Sequence, residues 1–397
     1  MAIHPVAHPS RLPFVLYALG LFLVACAGGG DITELRNMQL TAAMVPASPT
    51  NAHANDVAAA ELGRQLFFDK RLSVDGTIAC ATCHDPAHGF SDPHPFSVGV
   101  RGQLGNRHAM PITAVAFQSF TLWDGRGDSV WMQPLKAIEN PKEMDMTRLE
   151  LARVLATAYK SEYTAVFGEM PALDATPVRG KPGMVAWDTL PEPVRNDLDE
   201  VAANAGKALE AFERTVLCAD TRFDQWTRGE INLTDQEMNG AQAFVDHNCT
   251  RCHSGPAFSD GKFHNIGIPS ADRGRIVGRD LLLADEFNGV GLFSDDLAAG
   301  KAKLAAVATE TDGEGAFRTA SLRGAGQRTF FGHASHKETL HDFIQDVYQG
   351  GRNRRGATVG TLDPLLNDVN VPRDELDDLV AFLHTLDCPA GVTGAAP

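Results

Sequence analysis

Two five-residue words, Cys80-Ala-Thr-Cys83-His84 and Cys249-Thr-Arg-Cys252-His253, stand about 170 residues apart in a chain of 397. Two thiols three positions apart on one turn can take up the two vinyl groups of a haem, and the histidine after them is then held beneath the iron. Two covalently bound haem c groups are expected, one on Cys80, Cys83 and His84, the other on Cys249, Cys252 and His253. The competing reading is a zinc site made from two Cys-x-x-Cys pairs. Against it stand the histidine that follows both pairs, the distance between them, and the export signal at the amino terminus.

Each word has a helical setting. ELGRQLFFDKRLS (61–73) ends an apolar-periodic helix before the first. Before the second, residues 234–249 open with Thr234 and Glu237 in capping-box spacing and continue through Met238, Ala241 and Phe244. Helical periodicity also covers 147–159, 197–217 and 374–386, while strand signals are few and short. A mainly α protein with two cytochrome c-like haem domains follows, its boundary around 218–232.

At the amino terminus Arg11 precedes the apolar run LPFVLYALGLFLVA (12–25), too short for a stable span and suited to a secretory signal. Its end, Leu23-Val24-Ala25-Cys26, resembles the bacterial lipoprotein box, which implies cleavage before Cys26 and acylation of that thiol; ordinary cleavage near Ala25-Cys26-Ala27 is the alternative. The parts expected are a signal peptide (1–25), a flexible tether (26–55), an amino-terminal haem domain that reacts with peroxide (56–225) and a carboxyl-terminal electron-transfer haem domain (226–397). A periplasmic location follows, with the membrane reached only through a lipid anchor at Cys26. Of seven cysteines, Cys218 and Cys388 are left over, as a disulfide or as two buried thiols. A formal charge of −15 argues against nucleic acid as a partner.

Beyond the two words, several stretches resemble the bacterial di-haem cytochrome c peroxidase and MauG family. They are Gly89-Phe-Ser-Asp92, Ser97-Val-Gly-Val-Arg-Gly102, Leu122-Trp-Asp-Gly-Arg126, Gln133 and Asn140-Pro-Lys-Glu-Met144 around the first word. After the second come Phe258-Ser-Asp260, Phe263-His-Asn-Ile-Gly267, Phe317-Arg-Thr-Ala-Ser-Leu-Arg323, Phe331-Gly-His333 and Tyr348-Gln-Gly-Gly351. The similarity runs through nearly all of 56–388. It implies that Trp123 lies between the haems and passes charge, and that Glu143 is the distal acid with Gln133 its companion. Read without the resemblance, Trp123 is a buried aromatic anchor and Glu143 a solvated glutamate after a proline turn. The family's calcium between the haems is also implied, although Arg107-His108 replaces its Arg-Asn pair; imidazole is a poor ligand for a hard cation, leaving backbone carbonyls as donors.

Two departures set the branch. Val100 stands where peroxidases of the family place a histidine that caps the first haem, so the distal side is expected to be open; His88, His94 and His108 are the reserve ligands in sequence. Peroxidases give the second haem a methionine, yet none of the ten methionines here follows Met238. Tyr348 stands where MauG has a tyrosine ligand, and Leu340, Phe343, Ile344, Val347 and Tyr348 keep helical spacing. Tyr348 is thus expected to hold the second iron, with a packed core tyrosine, or His336 or His341 as ligand, as the alternatives. These features suit the MauG- or MbnH-like branch. In such an oxidoreductase, hydrogen peroxide brings the haem pair to a two-electron oxidised state that modifies tryptophan or tyrosine residues of a partner protein. The alternative is a periplasmic peroxidase that reduces peroxide with electrons from a small cytochrome or cupredoxin. A third reading, an electron carrier with both irons capped, is opposed by Val100 and Glu143.

Overall fold

The computed structural model describes Met1, residues 30–348 and residues 358–390. The expected signal run and Cys26 fall outside the described residues, as do 349–357. Among the described residues no helix is long and apolar enough to cross a membrane.

The fold is mainly α, built as two lobes of similar plan. The first contains α1 (Val57–Phe68), the single turn α2 (Cys80–Cys83), α3 (Gln133–Ile138), α4 (Arg148–Ala158), α5 (Lys160–Phe167), α6 (Val185–Asp188) and α7 (Glu192–Glu213). α8 (Arg222–Thr227), α9 (Asp235–Asp246), α10 (Arg275–Leu283), α11 (Leu297–Val307), α12 (Leu340–Tyr348) and α13 (Leu376–His384) follow. The capping box read at Thr234 is formed: Glu237 accepts from the Thr234 amide at 2.8 Å, and Thr234 Oγ1 accepts from the Glu237 amide. One antiparallel pair, β1 (Phe263–His264) with β2 (Phe317–Arg318), joins two of the motif stretches in the register Phe263 to Arg318.

Each lobe is organised by two helices crossing at a glycine. On α1, a Cβ at Gly63 would lie 1.9 Å from the Ala208 carbonyl of α7; on α9, one at Gly240 would lie 1.9 Å from the Asp378 carbonyl of α13. Only a residue without a side chain permits backbones that close. The first core gathers residues from Leu62 to Val216, and the second gathers Phe223 to Leu386. The changeover therefore lies between Val216 and Phe223, and α8 belongs to the second lobe.

Two expectations need correction. Residues 30–55 do not behave as a loose tether: Leu35 and Met38 are buried in the second core, Arg36 lies 4.4 Å from the Trp226 ring, and Leu40 donates to Asp224. Apolar residues at that spacing were too sparse to register as a helix, but they are enough to dock a short 3₁₀ turn. Nor do the lobes divide the chain at one point. Leu282, Phe287, Leu304 and Val307 complete the first core, although they follow the second word.

Cys218 and Cys388 form a disulfide, tying the entrance of the second lobe to its last helix. It closes a loop of 170 residues. Replacing both cysteines by alanine is expected to remove about 2–5 kcal/mol of unfolding free energy, read by chemical denaturation of the holoprotein.

Glu213, at the end of α7, is buried and its Oε2 has no hydrogen-bond partner. Burial, then the neighbouring Glu210, pushes its carboxyl up to about 8. Between the unfolded value, about 4.3, and that figure, the folded state keeps a proton that the unfolded state releases, so stability falls as pH rises through this window. Glu213→Gln is neutral throughout. Its stability should match the parent near pH 4 and exceed it progressively, by up to about 1.4 kcal/mol per pH unit, until the gain levels off near pH 8.

Candidate di-haem site

The two words are built alike. α2 carries Cys80 and Cys83, and the His84 amide closes its turn on the Cys80 carbonyl at 2.9 Å. The His253 amide closes on the Cys249 carbonyl at 2.9 Å in the same manner. His84 Nδ1 lies 3.3 Å from the Phe90 carbonyl and His253 Nδ1 lies 3.0 Å from the Phe258 carbonyl. A ring that donates from Nδ1 keeps its lone pair on Nε2, the nitrogen a metal takes. Burial holds both imidazoles below their ordinary range and so keeps them neutral.

The two carbonyls that orient these rings belong to buried phenylalanines in left-handed backbone, φ 58° at Phe90 and 49° at Phe258. A bulky residue rarely takes that conformation. Each opens a Phe-Ser-Asp triplet, Phe90-Ser-Asp92 and Phe258-Ser-Asp260, so the orienting carbonyl is an internal repeat that was present in the sequence. Reading the triplets only as family anchors concealed this role.

Among the described residues none of the four cysteines of the words is in a disulfide. Cys80 packs against the first core and Cys249 against the second, so the pairs do not assemble into one tetrahedral zinc site. Cys252 does approach Asp260 and His264. That histidine is held instead by Asp260 at 3.0 Å and Asp363 at 2.6 Å.

Around the first word, Val100 is fully buried and its amide donates to the Glu143 carbonyl at 2.9 Å. Gly99 lies against the Lys142 backbone so closely that a Cβ would meet its carbonyl at 2.0 Å. The Val100 loop and the Asn140–Met144 turn thus form one wall. In that turn the Glu143 amide bonds back to the Asn140 carbonyl at 3.0 Å, and Asn140 Nδ2 donates to the Glu143 carboxylate at 2.7 Å. Burial raises the Glu143 carboxyl above the usual carboxylate range, against the opposing pull of Arg126 and Asn140. The carboxylate is also near enough to Cys83 to raise its thiol. Gln133 opens α3, half-buried, ahead of the same turn.

The reserve histidines are engaged elsewhere. His88 pairs with Asp85 and His94 with Asp92, each at 3.0 Å. His108 is buried, with Nε2 3.3 Å from Ser91 Oγ and Nδ1 3.2 Å from the His94 carbonyl.

The second word opens on an apolar cavity lined by Cys249, Cys252 and His253, by Leu340, Phe343, Ile344 and Tyr348 of α12, and by Leu379 and Leu383 of α13. Tyr348, the last described residue of its helix, shares this cavity with His253. His336 pairs with Asp346, and His341 lies near Asp342 and Asp377; neither lines it. Trp123 lines the cavity on the side facing the first lobe, and its indole N–H donates to the His108 carbonyl at 2.8 Å. Met110, two residues on, also lines it, while the Met110 backbone acts on His84. Trp123 thus lies on the wall of the second word's cavity, hydrogen-bonded to the His108–Met110 stretch that reaches His84.

One lining residue was missed as a site residue. His333 is 2% exposed, stacks on Phe317 at 3.5 Å between ring centroids, faces the edge of Trp123, and its Nε2 has no hydrogen-bond partner. An apolar cavity with attached thiols, a neutral oriented imidazole and orphaned polar groups fits a haem, a large flat apolar ring bearing carboxylates.

The description "Di-haem cytochrome c peroxidase" matches residues 57–232. The cytochrome c551 peroxidase of Pseudomonas aeruginosa is 27% identical over 336 residues, 82% of this chain and 78% of its own. MauG of Methylorubrum extorquens is 28% identical over 383 residues, 94% of this chain and 92% of its own. Among solved structures, a MauG-like protein associated with microbial copper homeostasis matches with a TM-score of 0.62 at 24% identity, covering 89% of this chain and 96% of that one. The diheme peroxidase BthA from Burkholderia thailandensis matches at 0.61 and 23%, with 90% and 93% covered. These structural likenesses speak to fold. The two Cys-x-x-Cys-His words, the oriented histidines and the relatives agree: residues 57–232 match the di-haem cytochrome c peroxidase family, and the chain is similar along most of its length to proteins named cytochrome c peroxidase and MauG, as an oxidoreductase acting on peroxide would be.

Proposed function

We propose that this protein is a MauG-like oxidoreductase that uses hydrogen peroxide to oxidise aromatic residues of a partner protein. The observation that carries the reading is that Tyr348 of α12 lines the same cavity as His253, in a chain with no methionine after Met238 to serve as a sulfur ligand. When bound, the two haems supply peroxide activation at one iron and storage of oxidising equivalents across the pair.

The chain's own groups have distinct tasks. Val100 cannot ligate iron, so it leaves the first pocket open to peroxide beside Glu143. Glu143, kept in an apolar wall and hydrogen-bonded by Asn140, would hold and move a proton at the first site when peroxide reacts there. Gln133 is its companion on that side. Trp123 passes charge between the two haem sites, and because its N–H donates to a carbonyl, which is no base, the indole keeps its proton when oxidised. Tyr348 offers a hard phenolate, which disfavours the reduced second iron. His84 and His253 would hold the two irons, and Cys80, Cys83, Cys249 and Cys252 would attach the haems. The Cys218–Cys388 disulfide supports an exported, periplasmic protein; acylation at Cys26 would tether it to a membrane. With both ring nitrogens of His108 engaged, calcium between the haems would rely on backbone carbonyls.

The peroxidase reading is supported by relatives named cytochrome c551 peroxidase. One experiment separates the two. The fully oxidised holoprotein, never reduced, is given one equivalent of hydrogen peroxide and followed in the near-infrared. A long-lived band, and oxygen or cross-link mass added to a tryptophan- or tyrosine-containing partner, is the expected result. A requirement for prior reduction, with steady turnover of a reduced small cytochrome, would replace the proposal by the peroxidase.

A further inference from the structure

Buried arginines in this protein are generally matched by carboxylates. Arg323 is fully buried and held by Asp224 at 2.8 and 3.0 Å. Arg275, 2% exposed, pairs with Glu310 at 2.7 and 2.8 Å. Two arginines of the second cavity break this pattern.

Arg318, 6% exposed, donates only to neutral groups: the Gln118 amide oxygen, the Leu122 carbonyl at 3.3 Å and the Met110 sulfur at 3.0 Å. Arg328 donates Nη2 to the Ser321 and Arg323 carbonyls at 2.8 and 2.6 Å, and its Nε is buried with no partner. Burial pushes both guanidiniums down, to about 10; Asp387 acts on Arg328 from a distance, and among the described residues no carboxylate is hydrogen-bonded to either. A buried cation without a carboxylate in contact is costly to keep charged. The third orphan on this cavity is His333, whose Nε2 has no partner and whose ring is clamped flat on Phe317.

We infer that Arg318, Arg328 and His333 are the anion-receiving end of the second cavity and hold the propionate carboxylates of the haem attached at Cys249 and Cys252. Arg328 Nε and His333 Nε2 are the atoms left to donate, and Arg318 supplies the second charge. Arg318 and His333 lie in two of the motif stretches and Arg328 between them, with Arg318 held on the β1–β2 pair. Because His333 also faces the edge of Trp123 at 6.2 Å, the carboxylate it holds lies toward that ring. These groups are positioning residues: they set where the haem sits and the charge around it. The inference requires the haem of the second word and is independent of whether a partner protein is modified.

The test uses the holoprotein with both haems loaded, confirmed by mass. Arg328→Gln should lower the midpoint potential of the second haem, since removing a buried positive charge favours ferric iron, and should shift the propionate bending band in resonance Raman. Arg328→Lys should restore most of the potential. The first haem, serving as internal control, should not move. His333→Phe keeps the ring on Phe317 and removes the donor; its propionate band should shift while the potential changes less. An unmoved potential and band in Arg328→Gln would overturn the inference. If that variant fails to retain haem, an unmoved band in His333→Phe would do so.

Discussion

Glu143→Gln is expected to slow the reaction of the ferric holoprotein with hydrogen peroxide by about 10²–10⁴-fold, the range that a positioned acid–base group contributes. Cleaving an oxygen–oxygen bond moves a proton from the oxygen that binds iron to the one that leaves. Glutamine fits the same turn and accepts the Asn140 amide as Glu143 does at 2.7 Å, so the wall with Val100 is kept. What it lacks is an exchangeable proton of useful acidity. The raised carboxyl of Glu143 suits this task, because burial brings it toward the pH at which it works and the carboxylate can take the proton and return it. Stopped-flow mixing with peroxide, watching the Soret band, measures the rate directly. Both haems should remain attached and their ferric spectra unchanged. A rate within a few-fold of the parent would return Glu143 to the status of a surface glutamate that happens to be enclosed.

Tyr348→Phe should abolish the low-spin ferric signal of the second haem in electron paramagnetic resonance and raise that haem's reduction potential. Phenylalanine preserves the packing of α12, where Leu340, Ile344 and Val347 are buried against the second core. Only the oxygen is removed. A phenolate stabilises the higher oxidation states of iron, so its loss should make the second haem reducible and end the near-infrared response to one equivalent of peroxide. Partner oxidation should fall with it, while Glu143-dependent consumption of peroxide continues at the first site. A low-spin signal identical to the parent's would show Tyr348 to be a packed core residue, and the partner-modifying role would lose its basis.

Much of this site was legible because its chemistry is written locally. Two thiols and a histidine on one turn need only a few adjacent residues, and Leu340 through Tyr348 declared their common face by helical spacing alone. The capping box at Thr234 is likewise a matter of three residues. His333 was not legible as a site residue, because a histidine in a loop carries no period. Its importance comes from its contacts with Phe317 and Trp123, neither of them adjacent to it in sequence, and from the unpartnered state of its own Nε2. Arg318 and Arg328 were hidden for a related reason: a buried cation is recognised by the carboxylate it lacks, and that is a property of its surroundings.

From sequence alone came the two Cys-x-x-Cys-His words, the helices that flank them and the placing of Val100 and Tyr348, since each depends on residues within a turn or two of chain. The folded molecule alone decided that Cys218 bonds to Cys388, that Leu35 to Leu40 dock on the second lobe while Pro46 to Ala54 dock on the first, and that α10 and α11 return to complete the first core. It also gathered Tyr348, His333 and Trp123 around the cavity of the second word. These are contacts between segments tens to hundreds of residues apart, selected by which apolar faces can bury one another, and no local periodicity encodes that choice.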